Sequence, residues 1–170
     1  MSLDVVALRE SFELVVERSP ELTRRFYEIL FERFPQTRPM FRRNTPAQQE
    51  KMLTAALVAV VDHLEDAPWL GSTLQALGAR HVDYGVRDEM YAWVGECLLA
   101  TLAEVAADDW TPRYAKAWQD AYAAISGLML EGARQFRAAA PSQPDDTERS
   151  PAAPRSRRAA DGAPISTPAS

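Results

Sequence analysis

From its N-terminus to about residue 137, this chain repeats apolar side chains at intervals of three and four. Leu22, Phe26, Ile29 and Leu30 form one such set, and Met52, Ala56, Ala59 and Val60 another. That spacing puts the apolar residues of each segment on one face of a helix. Alternating strand patterns between glycine turns are absent from the sequence. The expected fold is therefore all-α. With 170 residues, 46% of them hydrophobic, the chain is long enough for one domain with a buried core.

Helix boundaries can be read from residues that satisfy free backbone groups or cannot continue a helix. Ser19-Pro20-Glu21 reads as a hydroxyl cap, a proline in the first turn and a carboxylate near the positive helix end. Thr45-Pro46-Ala47-Gln48 reads the same way, with Gln48 completing a capping box. Thr111-Pro112 opens a last helix, and Asp88 is expected to cap a helix starting near Glu89. Pro35 and Pro39 forbid a continuous helix between Phe34 and Phe41, and Asp66-Ala67-Pro68 marks another break. Six or seven helices with short connections follow.

Composition changes near residue 138. Residues 138–170 are mostly Ala, Pro, Ser, Arg and Asp, with Ile165 the single large apolar side chain. Such a segment buries too little apolar area to offset its backbone entropy, so a disordered tail is expected after a folded domain of residues 1–137. Arg155, Arg157 and Arg158 form a short basic cluster in it.

The net charge of -5 argues against nucleic acid, whose phosphates need a basic face. No apolar run reads as a bilayer span, and the start MSLDVVALRE lacks a signal-peptide pattern. A cytoplasmic location is expected. The one cysteine, Cys97, excludes an intrachain disulfide and reads as a small core residue.

Only His63 and His81 offer imidazoles, so a centre built from several histidines is excluded, as is a His/Cys zinc site. A phosphate-cradling glycine loop and a G-x-S-x-G elbow are also missing from the sequence. What remains is a cofactor needing one strong protein ligand and a large apolar slot, a description that fits haem. His81 follows Leu77 and Gly78 and precedes Gly85, and the two glycines would let backbone lie close to a flat ligand. Periodicity alone leaves open a core or surface role for His81. It equally leaves Tyr27 as a core tyrosine bonded to a carbonyl, Gln49 as a first-turn residue facing water, and His63, near Asp62 and Glu65, as a solvated histidine.

Several motifs stand in a fixed order: Phe26-Tyr27-Glu28-Ile29-Leu30-Phe31, Phe34-Pro35, Phe41 and Gln49-Glu50-Lys51-Met52-Leu53 come first. Leu77-Gly78-Ala79-Arg80-His81, Tyr84-Gly85-Val86, Tyr91, Val94-Gly95-Glu96-Cys97-Leu98-Leu99, Ala117-Trp118 and Ala121-Tyr122 follow. Together they resemble the bacterial single-domain globins and the globin half of flavohaemoglobins, from about Ser11 to Gly132. The resemblance implies a three-over-three helical sandwich holding haem b through its iron. It implies His81 as the proximal ligand, Phe41 packed flat on the haem, Tyr27 and Gln49 as distal hydrogen-bond donors, and Leu53 over the iron. Leu77 and Val86 would flank the cofactor, and the Tyr91 hydroxyl would support the proximal side.

Such a pocket implies tight, reversible binding of dioxygen, with nitric oxide and carbon monoxide as further ligands. It suits reaction with nitric oxide better than bulk oxygen delivery. Two departures from the family pattern stand out. Where flavohaemoglobins carry a glutamate behind the proximal histidine, this chain has Gln135, with Glu131 one turn earlier. A flavin and nicotinamide reductase domain does not follow, so turnover would need an external reductase. The alternative function is a gas sensor or ligand-dependent interaction module signalling through the tail. A haem-free regulatory domain on the same scaffold is a third.

Overall fold

The computed structural model describes residues 3–140; the expected tail from residue 141 on, with its arginine cluster Arg155 to Arg158, lies outside them, while Ala138 and Ala139, expected in the tail, are the last residues of a helix. The described chain is all-α. Its helices are α1 (Val5–Arg18), α2 (Leu22–Arg33), α3 (Pro46–Asp62), α4 (Ala67–Asp83), α5 (Asp88–Ala106) and α6 (Pro112–Ala139). Short 3₁₀ helices occupy Pro35–Phe41 and Ala107–Asp109. The first is the corner that Pro35 and Pro39 dictate.

The Thr45 box forms as expected: Gln48 N–H donates to Thr45 Oγ1 (3.3 Å), and Thr45 N–H donates to Gln48 Oε1 (2.9 Å). Asp66 caps α4 by accepting from Trp69 N–H, and Thr111 caps α6 by accepting from Tyr114 N–H. Two expected caps are corrected. Ser19 closes α1, donating its N–H to the Val15 carbonyl, because α1 runs through Arg18 and leaves only a tight turn before α2. Glu21 takes the N-cap position of α2, and its carboxylate turns to Arg24. Asp88 lies inside α5 and spends its carboxylate on Arg137 at 2.9 Å, leaving Arg87 at the cap position.

The larger core joins α1, α2, α5 and the first half of α6 around Leu8, Phe12, Val15, Phe26, Leu30, Leu98, Leu102 and Trp118. Inside it, Trp118 Nε1 donates to the buried Ser11 hydroxyl (2.9 Å), which donates to the Ala7 carbonyl, so no polar group there is stranded. Cys97 lies fully buried in this core. A smaller core gathers Leu74, Tyr91 and Met129 from α4, α5 and α6. Residues 88–109 are, by length and composition, apolar enough to cross a membrane, where the sequence reading saw no such run. Here the segment is mainly α5, which buries Met90, Tyr91, Cys97, Leu98, Thr101, Leu102 and Ala106 against its neighbours as a core helix.

Helices α4 and α6 cross at two glycines. A Cβ on Gly78 would collide with the Met129 carbonyl, and one on Gly132 with the Gln75 carbonyl. The sequence reading gave Gly78 to a flat ligand; its backbone instead abuts α6. Gly85 ends the α4 region at φ 80°, a left-handed conformation that favours glycine.

Candidate functional site

The candidate residues divide between the two cores, the Val60 side chain of α3 packs against both, and the two groups define a candidate slot. On one side stand Tyr27, Phe41 and Leu53, all half-buried against the larger core. On the other stand Leu77 and Val86, half-buried against the smaller one, with buried Tyr91.

The first side is an aromatic wall with one polar line through it. Tyr27 meets Phe26, Phe31 and Phe41 at ring separations of 5.1, 5.9 and 5.4 Å. The helical register of α2 and the 35–41 corner bring these rings together. Gln49, in the first turn of α3, is half-buried and donates its amide N–H to the Tyr27 hydroxyl at 3.0 Å. Its carbonyl oxygen in turn accepts from Asn44 Nδ2 at 3.1 Å. The Asn44 bond fixes which end of the Gln49 amide faces Tyr27. Because Tyr27 accepts from Gln49, its own proton remains available to a third group. Burial pushes the Tyr27 hydroxyl up to about 12, so it is a neutral donor at ordinary pH.

On the second side, His81 sits near the C-terminal end of α4, and its Nδ1 is bonded to the Leu77 carbonyl at 2.8 Å. That bond places the proton on Nδ1 and leaves Nε2 with a lone pair. Burial lowers the His81 pKa, which favours the neutral imidazole that a metal requires. The Tyr84 and Tyr91 rings flank it at 5.9 and 6.2 Å. The Tyr91 hydroxyl is buried with no hydrogen-bond partner among the described residues. The Tyr91 backbone is held from α6, where the Tyr122 hydroxyl donates to the Tyr91 carbonyl at 2.5 Å.

Glu131 and Gln135 do not reach this side. Gln135 donates to Glu131 at 2.9 Å on the exposed face of α6, and Glu131 also takes Arg134. His63 is elsewhere, stacked on Trp69 at 3.8 Å with Nδ1 against the Ala59 carbonyl, and so is less solvated than its acidic neighbours imply. Asn44, Tyr84 and Tyr122 carry polar or ring contacts that the sequence reading did not assign. Of these, Tyr84 and Tyr122 lie in quoted motifs without a role.

A globin family model matches residues 24–129. The chain belongs to the globin family. The flavohemoprotein of Bordetella pertussis is 33% identical to this globin over 146 residues, which is 84% of this chain and 36% of that protein. An uncharacterized globin-like protein of Aquifex aeolicus is 30% identical, over 72% of this chain and 86% of its own length. Among solved structures, an engineered carbene transferase from a nitric oxide dioxygenase candidate of Rhodothermus marinus superposes with a TM-score of 0.70 at 28% identity. It covers 79% of this chain and 93% of its own. A bacterial globin from Campylobacter jejuni, at TM-score 0.68 and 24% identity, shows the same fold over 79% of this chain and 96% of that one.

Haem is the cofactor of the globin family. The slot of this globin fits such a group on three counts. Its walls are apolar side chains only half-buried by the protein, the His81 imidazole has Nδ1 bonded and Nε2 left for a ligand, and the buried Tyr91 hydroxyl beside that imidazole lacks a partner among the described residues.

Proposed function

We propose that this globin holds one haem b through His81 Nε2, binds dioxygen reversibly with high affinity, and with an external reductase converts nitric oxide to nitrate. Ferrous haem supplies reversible binding of dioxygen, nitric oxide and carbon monoxide, and with the first two the chemistry that yields nitrate. The remaining work falls to the protein. Phe41, Leu53, Leu77 and Val86 form apolar faces that exclude water and favour a flat ring. The Leu77 carbonyl fixes the His81 tautomer.

One observation carries the reading: Gln49 donates to Tyr27 and leaves the Tyr27 proton free. A small ligand that gains negative charge in the slot would accept that proton as a hydrogen bond worth about 1–3 kcal/mol. A firm, neutral phenol donor favours retention of dioxygen over its release. The relatives named flavohemoprotein, and the neighbour described as a nitric oxide dioxygenase candidate, support the nitric oxide half of the proposal. This chain spans 36% of the length of the Bordetella protein.

The test is the absorption spectrum of the purified protein in ferric, ferrous, oxygenated and carbonmonoxy forms, alongside His81→Gly. Reversible spectra that change or vanish in the variant are expected. Absence of haem, or spectra indifferent to His81, would overturn the assignment. Mixing the oxygenated protein with nitric oxide should give nitrate within milliseconds to seconds; failure would remove the enzymatic half and leave oxygen binding.

A further inference from the structure

Charge on this acidic chain is unevenly committed. Ten of the fifteen described Lys and Arg side chains have a carboxylate within 4.0 Å, as in Arg25–Glu104, Arg33–Glu96, Arg113–Asp4 and Arg137–Asp88. Among the described residues the exceptions are Arg38, Arg42, Arg43, Lys51 and Arg80. All five are exposed and belong to the three elements that frame the slot: the corner after α2, the start of α3, and the end of α4.

Ring contacts hold two of them beside the candidate residues. The Arg38 guanidinium lies 4.9 Å over the Phe31 ring, which abuts Tyr27 and Phe41. Arg43 lies 5.3 Å over the Tyr84 ring, and that ring lies 5.9 Å from His81. Arg80 is the neighbour of His81 in sequence, and Arg42 the neighbour of Phe41. Glu50, beside Lys51, turns to Arg24 instead (3.7 Å). Asp83 is the one carboxylate in this segment of α4 without an ion pair. The other described carboxylates without cations are Glu13, Glu17 and Glu32 on α1 and α2, Asp62 and Asp66 around the end of α3, and Asp108 after α5. Haem carries two carboxylates, too few to neutralise five cations.

We propose that this basic rim is the docking surface for an acidic electron-transfer protein that delivers electrons to the slot. The inference rests on the haem reading of that slot and names its partner by charge. Field lines from a cationic rim on a protein of net charge -5 orient an acidic partner toward one face and raise its association rate. The cations sit on a folded corner and two helices, and rings limit the motion of two of them, Arg38 and Arg43. They do not form a continuous basic amphipathic helix, the pattern that favours a lipid surface.

The test uses the full-length, isotopically labelled protein and Arg42→Glu/Arg80→Glu, two positions outside the ring contacts. The probe is oxidised flavodoxin, a small acidic flavin protein. Amide shifts are expected over residues 35–43 and 78–86 at about 20 mM salt and should disappear near 300 mM, where charge is screened within a few ångströms. The variant should bind about tenfold more weakly or worse, and accept electrons from reduced flavodoxin correspondingly more slowly. Shifts elsewhere, no shifts at low salt, or equal binding by the variant would overturn the proposal. So would binding to phosphatidylglycerol vesicles without binding to flavodoxin, which makes the occupant a lipid surface. Haem content and the carbonmonoxy spectrum are read on the same samples. A failure there counts against the haem reading, while the binding map still judges the rim.

Discussion

At the scale of single residues, the site rests on the direction of a few hydrogen bonds. Tyr27 accepts from Gln49, which accepts from Asn44, so the amide cannot rotate without losing a bond at each end. Tyr27→Phe should therefore speed dioxygen dissociation by about tenfold or more, the equivalent of the 1–3 kcal/mol of a charge-assisted bond, in stopped-flow release. Gln49→Leu leaves the phenol proton in place but frees the ring to turn, and should have a smaller effect. Tyr27 also makes a pH prediction. Its folded-state pKa is about 12 against an ordinary 10.0, so between those values the unfolded chain has lost a proton that the folded chain retains. Stability is then intact below pH 10 and falls as pH rises toward 12. Burial raises Tyr122 and Tyr91 as well. Ultraviolet titration should show a late-ionising set of tyrosines that loses one member in Tyr27→Phe; a titration completed near pH 10 would contradict it. Sequence periodicity left Gln49 facing water because its partners Tyr27 and Asn44 lie on other elements. The resemblance makes Gln49 and Tyr27 donors to one ligand, and the Tyr91 hydroxyl, expected to support the proximal side, has no hydrogen-bond partner among the described residues.

At the scale of elements, local signals wrote most helix boundaries, and the misses have a common cause. Thr45, Asp66 and Thr111 cap because each precedes a helix with nothing before it to compete. Ser19 has the same chemistry but is claimed by the end of α1, and Asp88 by Arg137 on α6, neither of which a local pattern contains. Gly78 shows the same limit: its neighbour, the Met129 carbonyl, is on another helix. Gly78→Ala should force α4 away from α6 and cost about 1–3 kcal/mol or more in denaturant unfolding. Gly71 provides the control on the same helix, since a Cβ there meets nothing within 4 Å. Gly71→Ala should stabilise by about 0.5–1 kcal/mol through helix propensity. Equal effects of opposite glycines would mean that the crossing does not depend on backbone contact.

At the scale of the molecule, stability is distributed in a way that leaves one wall of the slot dependent on what fills it. α5 buries eight residues, including Leu98, Thr101 and Leu102, and α6 is joined to α1 through Trp118 and Ser11 and to α4 through the glycine crossing. By contrast, α3 is seventeen residues long and buries only Val61 fully; Leu53, Leu57 and Val60 are half-buried, and Met52 and Val58 are exposed. Its capping box fixes where it starts without adding apolar burial. A helix of this length is marginal on its own in water, so its order must come from its neighbours and from an apolar group against Leu53, Leu57 and Val60. Local opening follows the elements with least burial. In hydrogen exchange on the haem-free protein, amides of residues 46–62 should exchange well ahead of those of α5 and α6, and haem should slow the former most. Binding to the folded state alone contributes on the order of 4 kcal/mol once free ligand exceeds Kd about a thousandfold. Uniform protection across all six helices without haem would show that α3 needs no cofactor to hold it, and that the slot is preformed.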